Sequence, residues 1–270
     1  MAISDISLTA GMRSNVTSLQ QTVDLLNRTQ VRLSTGKKVN SPLDDPINYF
    51  AAQSHMQRAS DLAMRKDGMN EGIQAIKAAD AGIKALTSLV QQAKSLITAA
   101  RTAGSTEASD LETQYDEIRD QIDALAGDSG YKGVNLLDDA TLTVEFNEDG
   151  SNTLAITGFD ATVAGDLDIA AAGDFTLSTA LNTAVTELDA ALSVLRTQSK
   201  TLSSNLSIVT TRLDFTSNMI NTLQTGSDNL TLADMNEEGA NMLMLQTRQS
   251  LGTTTLSLAA QAAQSVLRLF

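Results

Sequence analysis

The feature that most limits how this chain can fold is a hydrophobic repeat of period 3.5. Stepping from Leu181 alternately by four and three residues gives Leu181, Val185, Leu188, Leu192, Leu195, Ser199, Leu202, Leu206, Val209, Leu213, Thr216, Ile220, Leu223, Ser227 and Leu230. Twelve of these fifteen are apolar in a chain that is 42% hydrophobic overall, so the stripe is not chance. Seven heptads with apolar a and d positions mark a coiled-coil-like helix. At about 1.5 Å per residue it would run roughly 75 Å. A compact domain of 270 residues needs no such helix, whereas a rod does.

The N-terminal half repeats the pattern in pieces. Met12, Val16, Leu19, Val23, Leu26, Gln30 and Leu33 form one stripe, broken at Gln30. Ile76, Ala79, Ile83, Leu86, Val90, Ala93, Ile97 and Ala100 form a second, and Leu111, Tyr115, Ile118, Ile122 and Leu125 a third, its helix capped by Ser109 or Asp110 after a turn in RTAGSTEASD. A last stripe runs Met242, Leu245, Gln249, Gly252, Leu256, Ala259, Ala263, Val266, Phe270. It is out of phase with the 181–230 stripe, which places a joint between Gly226 and Gly239. A second joint falls in STGKKVNSPLDDP at 34–46, with Gly36, Asn40, Pro42, Asp44 and Asp45, facing Asp234 across the chain. The two joints lie at similar distances from the two ends, so a folded-back chain brings them side by side. Pro42 and Pro46 are the only prolines, so long helices elsewhere meet no proline breaker.

Residues 131–179 read differently. Leu142, Val144 and Phe146 alternate with polar residues, NEDGSN supplies a turn, and Leu154 and Ile156 alternate again, which is the pattern of a β-hairpin. The fold class expected is mainly α: an elongated rod of long helices folded back on itself with a small hairpin near the tip. Three parts follow: 1–40 with 235–270 as a terminal coiled coil, 41–140 with 180–234 as a helical bundle, and 141–179 as a short insert.

Composition removes most enzyme chemistry. There is no Cys, which excludes disulfides, thiolate nucleophiles and Cys-based zinc sites. There is one His, His55, so a His-rich metal site and HExxH are impossible. Phosphate-cradling glycine loops and GxSxG are absent. No catalytic, cofactor or metal site is expected. Charge is uneven: residues 1–40 carry +3 and 241–270 carry +2, which leaves −18 for the middle of a chain whose total is −13. That middle repels phosphates and argues against a nucleic-acid partner. The weakly charged ends suit packed interfaces better than solvated surfaces. No run of about 18 apolar residues spans a membrane, and the start lacks a signal-peptide pattern.

Three runs carry a resemblance. LNRTQVRLSTGKKVNSPLDDP at 26–46, IRDQIDALAGDSGYKGVNLLD at 118–138 and the whole of 229–270 are similar, in order and spacing, to the signatures of the bacterial flagellins. The resemblance implies a structural subunit that polymerises into the helical, hollow, extracellular flagellar filament used for swimming, exported without a cleaved leader. It implies terminal helices that pair in the filament core. It also implies partners: further copies of itself, the flagellar export apparatus, an export chaperone on the C-terminal helix, and the hook-associated and cap proteins. The stripe residues Met12, Val16, Leu19, Val23, Leu26 and Leu33, with Leu245, Leu256, Val266, Leu267, Leu269 and Phe270, then become the expected assembly interface. Some members are read by an animal immune receptor at a patch matching Gln91, Gln92, Leu96 and Glu117. Gln92 stands where recognised members carry arginine, so the resemblance does not carry that recognition to this chain.

Two other readings remain at this level. A hook–filament junction protein shares such ends but has a larger middle. A non-flagellar coiled-coil adaptor would be a stable dimer in dilute solution and would not need poorly charged, matched termini.

Overall fold

The structure, a computed structural model, describes residues 10–267. Five helices and one hairpin follow in order: α1 (Ala10–Thr35), α2 (Pro46–Ala100), α3 (Ser105–Asp128), β1 (Thr141–Glu145), β2 (Thr153–Thr157), α4 (Ser178–Thr231) and α5 (Met235–Leu267). The chain divides into two compact units, Met1–Gln57 with Leu223–Phe270, and Arg58–Thr222. Both α2 and α4 run unbroken from one unit into the other. The division therefore falls inside helices, away from the loops at 36–45 and 232–234 where sequence places the joints.

The long stripe on α4 packs as its period demands. None of its fifteen positions is exposed, and Leu188, Leu195 and Val209 are fully buried. All eight positions of the α2 stripe, Ile76 to Ala100, are buried as well. In the second unit α2 and α4 run antiparallel: Asp80 accepts from Ser199 at 3.1 Å, Lys94 pairs with Asp189, and Arg101 donates to Asn182 at 2.7 Å. As numbering rises along α2 it falls along α4. From α3, Tyr115, Ile122 and Ala126 enter the same core. α3 starts at Ser105 after an extended Gly104, several residues before the cap expected at 109–110. Ala108 is buried in the core, and that burial draws in an extra turn.

The hairpin forms where alternation places it. Leu142 pairs with Ile156 and Val144 with Leu154, so one face carries every large apolar side chain of the two strands. That face closes on α2 at Gly72, where an added Cβ would lie 2.8 Å from Val144. The irregular run after it, 158–177, has no sheet to satisfy its backbone. Part of it bonds to the backbone of 136–140 and to itself, and α3 side chains supply further partners: Asp123 accepts from Val163 N–H at 2.7 Å, Asp116 from Ala172 at 3.0 Å, and Glu112 from Phe175 at 3.4 Å, while Arg119 donates to the Ile169 carbonyl at 3.2 Å. Residues 112, 116, 119 and 123 line one helix face at a spacing of three and four. From α4, Glu187 accepts from Ala170 N–H at 3.1 Å. The insert thus belongs to the core of the second unit, through Phe159, Val163, Leu167, Ile169 and Phe175.

Tyr115 meets Phe175 edge-on at 5.4 Å. Its hydroxyl is buried without a partner, and burial together with the Glu187 charge pushes its pKa up to about 12.

Two glycines of α2 separate helix propensity from packing. At Gly82 an added Cβ would lie 2.5 Å from Ser129 Oγ and 2.6 Å from Leu137 Cδ1, whereas Gly68 has open space. Gly68→Ala should stabilise by up to about 1 kcal/mol, and Gly82→Ala should destabilise by about 1–3 kcal/mol despite the same propensity gain. Thermal unfolding followed by circular dichroism checks the opposite signs.

Candidate assembly surfaces

The first unit is built on the pairing of α1 with α5. On α1, Met12 is buried and Val16, Leu19, Val23, Leu26 and Leu33 are half-buried. Gln30 points to solvent and Thr29, one residue earlier, is buried in its stead. On α5, Leu245 is buried and Leu256 half-buried. The side chains of Val266 and Leu267, and the whole of Leu269 and Phe270, lie outside the described residues. The helices come close at Gly252, where a Cβ would stand 2.7 Å from Leu19 Cδ1.

The two joints do lie side by side. Lys37 and Leu232 form an antiparallel bridge; Lys38 N–H donates to the Thr231 carbonyl at 2.7 Å and Ala233 N–H to the Gly36 carbonyl at 3.0 Å. Gly36 turns the chain with φ +71°, a conformation that favours glycine. Above the bridge, Arg32 meets the buried Glu238 at 2.7 Å. Each outgoing helix has an aspartate cap. Asp45 accepts from Asn48 N–H at 3.1 Å ahead of Pro46, the first residue of α2, and Asp234 accepts from Asn236 at 2.9 Å and Glu237 at 3.2 Å. Asp44 closes the loop by accepting from Asn40 and Ser41 N–H at 3.0 and 2.9 Å. These backbone donors hold the carboxyls of Asp44 and Asp45 below their ordinary range.

In the second unit, α2 and α3 frame an open groove. Gln92, Leu96 and Glu117 meet in it, around a cavity of about 460 Å³ shared with Ile118 and Gln121. A second cavity of about 460 Å³ continues it over Leu89 and Leu125. Among the described residues no group of His, Asp and Glu could hold a metal ion, and no helix is long and apolar enough to cross a membrane.

What the heptad count missed is how much apolar surface stays open, and where. Twelve of the sixteen exposed large hydrophobics found among the described residues lie in the first, smaller unit. Met244, Leu251 and Leu258 recur every seven residues on α5, outside the stripe that includes Leu245 and Leu256. α5 is therefore nearly as apolar away from α1 as toward it, the character of a helix covered all round. A second heptad count on α5 would have found this row. Charge divides the other way: from the sequence, the first unit carries −1 and the second −12.

The bacterial flagellin N-terminal helical region matches residues 6–141, and the bacterial flagellin C-terminal helical region matches 179–270. The chain belongs to the bacterial flagellin family. Flagellins are structural proteins, the subunits of the extracellular flagellar filament, and they polymerise with copies of themselves. Two relatives from Caulobacter vibrioides, flagellins FljM and FljO, are 31% and 30% identical over 274 residues, covering 100% of both chains. A flagellin of Brucella melitensis is 29% identical over 94% of each. Among solved structures, Bacillus cereus flagellin aligns with a TM-score of 0.48 at 18% identity, over 55% of this chain and 88% of that one.

The aspartates at the joint give a pH test. Their depressed carboxyl pKa values add stability at pH above the ordinary carboxylate range of about 4, and that stability is lost as pH falls through their lower folded values. Amide protection factors at Asn40, Ser41 and Asn48 should fall as the pH drops below about 4, and Asp44→Asn with Asp45→Asn should flatten that response in exchange measured by NMR.

Proposed function

We propose that this chain builds a filament by covering the open faces of its α1–α5 pair with the same pair from neighbouring copies. The observation that carries this is the concentration of exposed apolar side chains in the first unit. The pair by itself has little core: among the described residues, Met12 and Thr29 are the buried ones of α1, and Glu238 and Leu245 those of α5. A two-helix pair this thin is marginal alone. Neighbouring copies add burial at roughly 25 cal/mol per Å² and offset the entropy of ordering the ends. Assembly and ordering of the terminal helices are then one step. The interface consists of the α1 stripe from Met12 to Leu33 and, on α5, Leu245 and Leu256 with Val266, Leu267, Leu269 and Phe270 continuing it. Residues 1–40 with 235–270 form the filament core in this reading, and the second unit carries most of the negative charge.

The same reading makes the filament an organelle of swimming. It gives the export apparatus, an export chaperone on α5, and the hook-associated and cap proteins as partners during delivery. A weakly cored terminal pair fits passage through an export channel, since little folding free energy opposes unfolding it.

Purified chain at rising ionic strength should form long tubes seen by electron microscopy and recovered by sedimentation, because screening relieves the −12 charge of the second unit. A chain lacking 241–270 should stay soluble under the same conditions. A full-length chain that remains a discrete dimer, its terminal helices already resistant to protease, would overturn the reading in favour of an adaptor.

Gly252→Leu offers a finer test. It should push α1 off α5 at Leu19 and raise the critical concentration by about tenfold or more, the effect of roughly 1.4 kcal/mol or more per contact, while the thermal transition of the second unit stays in place.

A further inference from the structure

Between α2, the hairpin and α4 the second unit holds a cavity of about 220 Å³. Its floor is apolar: Leu62 and Phe146 are buried there. At its edge the Phe215 ring is 56% exposed, in a unit that otherwise buries its aromatic rings well. Two arginines flank the cavity. Arg58 Nε donates to Glu148 Oε1 at 2.7 Å, and Glu148 is the one carboxylate among the described residues of the wall. Arg212 lies over the Phe146 ring instead, its guanidinium carbon 5.3 Å from the ring centroid. Stacking of this kind leaves the in-plane N–H donors of a guanidinium uncommitted, and their fork matches a carboxylate. Two arginines and one glutamate leave the wall one positive charge, inside a unit that carries −12. Asp61, Asp149 and Asp214 are next in sequence to wall residues but do not line the cavity.

The hairpin side of the wall is tied together before anything enters. Asn147 Oδ1 accepts from Asn152 N–H at 2.9 Å, Asn147 Nδ2 donates to Ser151 Oγ at 2.8 Å, and Phe146 N–H donates to the Asn152 carbonyl at 2.9 Å. Little ordering cost is left for binding. We propose that this cavity binds a small planar aromatic carboxylate, its ring against Phe215 and Leu62 and its carboxylate on the donors of Arg212. The ring satisfies an apolar floor and an open aromatic edge, and a single negative charge matches the single positive charge of the wall. Drug-sized ligands need about 300 Å³ or more, so this smaller space suits a compact ring system with one charged group. Other cavities offer less. The α2–α3 groove is lined by Glu117 and Asp128, which repel an anion. The cavity of about 340 Å³ at Arg101 has its arginine committed to Asn182 at 2.7 Å and its Phe175 buried against Tyr115, which leaves no ring for a guest. The proposed site lies wholly within residues 58–222 and does not depend on assembly.

The test titrates the unpolymerised full-length chain, isotope-labelled, with naphthoate and follows it by NMR. The backbone amides of Phe146, Asn147 and Asn152 and the side-chain N–H of Arg212 should shift together and saturate, with a Kd of about 1 mM or tighter. Naphthylmethanol, the uncharged analogue, should bind about tenfold more weakly or worse. Arg212→Gln and Phe215→Ser, both at exposed positions, should each weaken naphthoate by about tenfold or more, while Arg101→Gln leaves the Kd unchanged. If Arg212→Gln loosens the hairpin, seen as a lower thermal midpoint, Phe215→Ser decides alone, since its side chain lies outside the buried core. An unchanged Kd in Phe215→Ser overturns the site. So does the lack of any saturable shift, equal affinity for the uncharged analogue, or shifts centred on Arg101 or on the α1–α5 pair.

Discussion

Along one edge of α4, fifteen side chains from Leu181 to Leu230 are withdrawn from water in steps of four and three. The seam needs partners along its whole length, and the antiparallel stripe of α2 supplies them in the second unit. Long continuous helices follow from it: a break in α2 or α4 would throw the following residues out of phase with the seam. The hairpin, the clamped run at 158–177 and α3 then complete one core against those two helices. Each of them adds side chains of its own, Phe146 and Ile156 from the hairpin and Phe175 from the clamped run.

The two units solve the same hydrophobic problem differently. The second surrounds its stripes with three further elements and buries nearly everything apolar. The first has two helices and a joint, and it leaves Met244, Leu251 and Leu258 as well as Leu43, Ile47 and Phe50 in solvent. No described helix is long and apolar enough to cross a membrane. In the reading proposed above, the missing layers of the first unit come from other copies. The joint is where polar chemistry concentrates, with two aspartate caps, a bridge between strand-like segments and the Arg32–Glu238 pair. It fixes where α1 hands over to α2 and α4 to α5, which a two-helix pair with so small a core could not do by packing alone.

Much of this was legible in the residues. The stripes on α2 and α4 were plain because unbroken heptads, seven of them on α4, leave no other fold for them, and the hairpin was plain because Leu142, Val144, Leu154 and Ile156 alternate around a turn. Gly36, the prolines and the clustered aspartates marked the joint. Three things were not legible. The start of α3 lies at Ser105 because of the tertiary burial of Ala108, which no cap signal announces. Thr29 replaces Gln30 in the α1 stripe because both residues fit the local spacing and only contact with α5 chooses between them. The clamp at 112, 116, 119 and 123 has no sequence signal of its own; its role depends on a backbone run some fifty residues away. The open apolar rows were visible as residues but not as open, since a count of heptads says which positions want cover and not which of them receive it.

The uneven distribution of charge has a consequence for the assembled object. Every copy adds thirteen negative charges net, nearly all of them from the second unit. A polymer of such copies is a polyanion, and its backbone of charge draws a sheath of counterions much as a nucleic acid does. Neighbouring polymers then repel one another sideways. Monovalent ions would set the spacing between such fibres, and divalent ions, able to bridge two of them, would gather them into bundles.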